Sequence, residues 1–80
     1  PNLKVESNAS GSAKVISYSP NKVVIQTTTN SPALLFLSDN YYPGWKAKIN
    51  GEFSKIYRAD YSFRAVIVPK GKAIVEFIFN

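Results

Sequence analysis

Apolar and β-branched residues in this chain come in short runs with a period of two, and Pro, Gly, Asn or Ser closes almost every run. No stretch carries the 3.6-residue period of a helix. This pattern constrains the fold more than any other feature, because period two is the signature of half-buried strands. Residues 14–19 and 23–29 flank Ser19-Pro20-Asn21-Lys22, a turn of type I or II with Pro at its second position. They are expected to pair as a hairpin. Residues 33–37, Ala-Leu-Leu-Phe-Leu, are apolar on both faces and read as the central strand of a sheet. Trp45, Ala47 and Ile49 alternate with Lys46 and Lys48 and run into Asn50-Gly51. That dipeptide suits a type I′ turn, whose two central positions need positive φ. A return strand over 53–58 and a turn at Ala59-Asp60 follow. Strands over 61–68 and 73–79 are then separated by Pro69-Lys70-Gly71-Lys72. Seven or eight short strands in 80 residues predict one antiparallel β-sandwich spanning 1–80, with a five-stranded OB-like barrel as the alternative.

The residue inventory excludes several chemistries. There is no Cys, His or Met, so disulfides, thiolate nucleophiles, imidazole bases and His/Cys zinc sites are all ruled out. The five carboxylates, Glu6, Asp39, Glu52, Asp60 and Glu76, are scattered, with no spacing that suggests a calcium cage. No metal, cofactor or catalytic set is therefore expected. The formal charge is +5, and eight of the ten cations are dispersed lysines. Such a balance suits either a well-solvated surface or a polyanion partner. The chain begins at Pro and stops inside a strand-like run, so it reads as a domain excised from a longer protein.

The densest cluster of distinctive residues is Ser38-Asp39-Asn40-Tyr41-Tyr42-Pro43-Gly44-Trp45-Lys46-Ala47. With Leu35-Phe36-Leu37 before it, this stretch resembles the signature of the YfhO-like bacterial membrane proteins. The likeness continues through Ile49-Asn50-Gly51, Ile56-Tyr57-Arg58-Ala59-Asp60, Phe63-Arg64-Ala65-Val66, Val68-Pro69-Lys70-Gly71-Lys72 and Val75-Glu76-Phe77. It covers about residues 33–79, and the first 32 residues fit more loosely. Asn50 stands where Asp is more usual, and Ala73 where a polar residue is common. The resemblance implies a β-rich domain on the extracytoplasmic face of a polytopic membrane protein of the GT-C glycosyltransferase type, which uses lipid-linked sugar donors. It implies no catalysis by this segment, because the catalytic carboxylates of such transferases lie in their membrane portion.

Two candidate sites emerge. Tyr41 and Tyr42, with Asp39, Asn40 and Lys46, offer aromatic faces and polar groups for a glycan; otherwise they form a structural corner. Arg58 and Arg64 bracket a turn and could grip a phosphate or carboxylate, or one of them could pair with Asp60. Lys46, Lys48 and Lys55 share a hairpin and either face anionic lipid headgroups or keep an edge strand soluble. Trp45 is expected to face the core with Ala47 and Ile49. The expected partners are the parent's transmembrane helices and a glycan or lipid headgroup, with no nucleic acid. The functional expectation is an accessory domain that binds or presents glycan. The alternatives are a structural module without a ligand and, lower in rank, a basic OB-like nucleic-acid binder.

Overall fold

A computed structural model describes residues 4–7, 11–38, 44–58 and 63–79. All regular structure in them is strand: β1 (Lys4–Ser7), β2 (Gly11–Ser19), β3 (Lys22–Thr29), β4 (Ala33–Ser38), β5 (Trp45–Ile49), β6 (Glu52–Ser54), β7 (Tyr57–Arg58), β8 (Phe63–Val68) and β9 (Gly71–Phe79). They form two antiparallel sheets, ordered β1-β4-β8-β7 and β2-β3-β9-β5-β6. The fold is the expected sandwich, and neither sheet closes into a barrel.

The alternation seen in sequence sets which side chains meet between the sheets. Val23 and Ile25 from β3, Ala33, Leu35 and Leu37 from β4, Val66 and Val68 from β8, and Val75 and Phe77 from β9 make the buried core. Trp45, Ile49 and Ile56 pack against it. As expected, β4 is an inner strand, lying between β1 and β8. Its second apolar row, Leu34 and Phe36, is half-buried on the outer face beside Ile67, which is 50% exposed.

One expected strand is divided. The segment 53–58 was expected to run as one strand, but β6 belongs to the five-stranded sheet and β7 to the other. Lys55 and Ile56 make the crossing, and Ile56 packs into the core as the chain changes sheets. Burial of that isoleucine overrides a continuous ladder. Strand β2 begins at Gly11, where Gly11 and Ser12 pair with Thr29 and Thr28. A Cβ at position 11 would collide with the backbone carbonyl of Thr28, so only glycine fits that approach.

The β5–β6 turn forms as read. Asn50 has φ 51° and Gly51 φ 85°, the two positive values that a type I′ turn needs. Asn50 does more than turn the chain. Its backbone N–H donates to the Ile74 carbonyl (2.8 Å), and its Oδ1 accepts from the Ile74 N–H (2.9 Å). These two bonds extend the β5–β9 ladder one step beyond Ile49↔Val75. Asn50→Ala is therefore expected to cost about 1–3 kcal/mol, from a left-handed backbone without its amide and a lost hydrogen bond. Asn50→Asp, which keeps both the acceptor and the tolerance of positive φ, should stay within about 0.5 kcal/mol. Urea melts of the two variants test the contrast, and equal losses would show that neither the acceptor nor the tolerance of positive φ accounts for Asn50.

Candidate functional site

The chain leaves the four-stranded sheet at Ser38 and enters the five-stranded sheet at Trp45. Asp39, Asn40, Tyr41 and Tyr42 fall in this crossing and lie outside the described residues, as does Asp60. Of the candidate glycan-binding residues, Lys46 is described, and it is exposed at the start of β5.

Leu37 pairs with Arg64, and Trp45 pairs with Phe79. Arg64 lies on the inner row of β8 with Val66 and Val68, and it is fully buried. Its guanidinium sits 4.7 Å from the Trp45 ring centroid and 5.9 Å from that of Phe77. Trp45 in turn packs on Phe79, with centroids 5.3 Å apart and planes tilted by 47°. The expected inward placement of Trp45 therefore holds, although its ring is half-buried rather than fully enclosed. A planar, weakly hydrated guanidinium is the cation best suited to an aromatic surface of this kind.

Arg58 and Arg64 are brought together as cross-strand partners, so both project from the inner face of their sheet. They do not form the surface fork expected from sequence. Arg58 is exposed and Arg64 reaches no solvent, so an anion at the surface would meet Arg58 alone. The cause is register. The alternation that buries Val66 and Val68 also carries Arg64 inward.

The lysines also differ from expectation. Strand β5 lies between β9 and β6, and β6 pairs with Ala47–Ile49, so Lys48 does not guard an open ladder, whereas Lys46 lies beyond the end of β6. Both sit over the ring of Phe53, at 6.0 and 4.8 Å from its centroid. Phe53 is 69% exposed, and sequence reading did not single it out. The available signal was its place in the hairpin, where Asn50-Gly51 sets it opposite Lys48. A groove of 450 Å³ lies beside it, lined by Ile49, Asn50, Glu52, Phe53, Ser54 and Pro69. Lys55 lies 4.9 Å from the Tyr57 ring. Among the described residues no group of His, Cys, Asp or Glu side chains could hold a metal ion, and no helix is long and apolar enough to cross a membrane.

Residues 2–80 match the family described as "Bacterial membrane protein YfhO". The chain is also 28% identical over 75 residues to "Uncharacterized protein YfhO" of Bacillus subtilis (strain 168). That alignment covers 94% of this chain and 9% of the relative. No solved structure matches.

Proposed function

The chain belongs to the YfhO family of bacterial membrane proteins, and we propose that it is a non-catalytic accessory domain of such a protein, placed on the extracytoplasmic face and presenting glycan to the membrane-embedded part. One observation carries the reading. A β-sandwich with its own closed core answers to only 9% of the length of a relative in a membrane protein family. The remainder of the protein supplies the transferase chemistry that the family resemblance implies.

The glycan part of the reading rests on where the aromatic crossing begins and ends. Its flanks are the buried Leu37 at one side and the core-packed Trp45 at the other. Tyr41 and Tyr42 supply ring faces for pyranose C–H groups, and Asp39, Asn40 and Lys46 supply partners for hydroxyls.

The test is an NMR titration of the 80-residue chain with short oligosaccharides of gluco and N-acetylhexosamine configuration. Resonances of Tyr41, Tyr42 and Lys46 are expected to move at millimolar ligand, and Tyr41→Ala with Tyr42→Ala to abolish the shifts. Unmoved resonances across the panel would leave a purely structural module as the better account.

A further inference from the structure

The topology gathers lysines that are far apart in sequence onto one face. Strand register places Lys14, Lys22, Lys46, Lys48 and Lys72 on the outer face of the five-stranded sheet. The placement follows from alternation. Their neighbours along the chain, Val23, Ala47 and Ala73, are buried, and Lys14 is the cross-strand partner of the outward Gln26. Among the described residues Glu76 is the single carboxylate on that face, and it is engaged by Lys22 at 3.2 Å. Glu52 is directly opposite the inward Ile49 and so belongs to the other face of the hairpin. On the outer face of the four-stranded sheet the described side chains are Leu34, Phe36, Ala65, Ile67 and Tyr57, none of them charged.

We propose that this lysine face docks on an anionic bilayer surface. Three features point to a membrane. The face spans five strands, about 19 Å across at the usual strand spacing. Its cations thus lie within about one or two Debye lengths of each other at 0.1 M salt and act together on a charged plane. Apolar groups are interleaved with the lysines: Phe53 is 69% exposed between Lys46 and Lys48, and Ile74 is 38% exposed beside Gln26. An aromatic ring flanked by lysines suits the headgroup region, where the ring meets the acyl boundary while the ammonium groups meet phosphate. Finally, a domain within a membrane protein is held near a bilayer, so even a weak surface attraction is populated at the high effective concentration of a tether. The inference does not depend on the glycan reading: the two share only Lys46, and the face stands on Lys14, Lys22, Lys48 and Lys72 without it.

The experiment is co-sedimentation of the 80-residue chain with vesicles of phosphatidylglycerol in excess phosphatidylcholine, against vesicles of phosphatidylcholine alone. Binding is expected only to the anionic vesicles, and it should vanish at about 1 M salt, where the Debye length falls to about 3 Å. Lys46→Glu should lower the partition coefficient by roughly tenfold or more. Lys70→Glu makes the same change in net charge on the β8–β9 turn and should lower it by less than about threefold. Circular dichroism confirms that both variants keep the fold. Equal losses from the two variants, or no preference for the anionic vesicles, would overturn the proposal. So would tighter binding to polyphosphate or single-stranded oligothymidine than to vesicles, which would assign the face to a soluble polyanion.

Discussion

Arg64→Ala is expected to bring the domain to the edge of unfolding, with a loss of about 3–5 kcal/mol. A chain of 80 residues holds in total roughly 4–12 kcal/mol. Two effects add. Truncation of a fully buried side chain opens a cavity beneath Trp45 and Phe77, and neighbours in a close-packed sandwich only partly collapse into it. The desolvated contact with the Trp45 ring is also lost, worth up to about 2 kcal/mol where water is excluded. Arg64→Lys separates the two effects. Lysine keeps the charge and most of the volume but not the flat guanidinium, and its ammonium is costlier to desolvate. A loss of about 1–3 kcal/mol is expected there. The check is the urea midpoint at constant m. An Arg64→Ala midpoint within error of the wild type would mean that the guanidinium contributes nothing net, as some buried charges do.

The place of Arg64 also shows what was legible in the sequence. Period two put Arg64 in one row with Val66 and Val68, and the row proved to be the core row. The charge of the residue argued for the surface, and alternation alone did not decide, because the opposite row, Phe63, Ala65 and Ile67, is as apolar as Val66 and Val68. Turn chemistry was local and therefore readable: Asn50-Gly51 takes the positive φ values its residue types favour. The double-faced apolar run in β4 announced an inner strand for a similar reason. The switch of sheets at Lys55-Ile56 could not be read in advance. Phe53 to Arg58 has no glycine or proline, and only the packing of Ile56 between the layers divides it. The lysine face was hidden for a different reason. Lys14, Lys22, Lys46, Lys48 and Lys72 become neighbours only once the order β2-β3-β9-β5-β6 is known, and that order is set by long-range pairing. Of the candidate glycan residues, Lys46 alone falls within the described structure, so the aromatic pair rests on the sequence argument and on the titration.

Trp45→Ala is expected to cost about 3–5 kcal/mol, the range for a large aromatic removed from a core. Its ring closes the end of the sandwich where the chain passes from β4 to β5, lying between the Arg64 guanidinium and the Phe79 ring. Removing it exposes a desolvated cation as well as apolar surface, so the loss should exceed that of an aliphatic residue with equal exposure. Trp45→Phe retains a ring face for Arg64 and is expected to lose only about 1–2 kcal/mol. The two arms of the contact can be joined in a double-mutant cycle. Because Trp45 and Arg64 share one contact, the Trp45→Ala/Arg64→Ala double variant should cost less than the sum of the singles by about 1–2 kcal/mol. As each truncation is near the limit of stability, the cycle is best measured with Trp45→Leu and Arg64→Met, which remove the ring face and the cation while keeping much of the volume, read by urea melts with osmolyte present. Strict additivity would mean that Trp45 and Arg64 support the fold independently and that the 4.7 Å stacking is incidental. Coupling of the expected size would identify the pair as the lock between the two sheets at the base of the aromatic crossing. Loosening that lock should then disturb any glycan shifts of Tyr41 and Tyr42 while leaving vesicle binding by the lysine face intact.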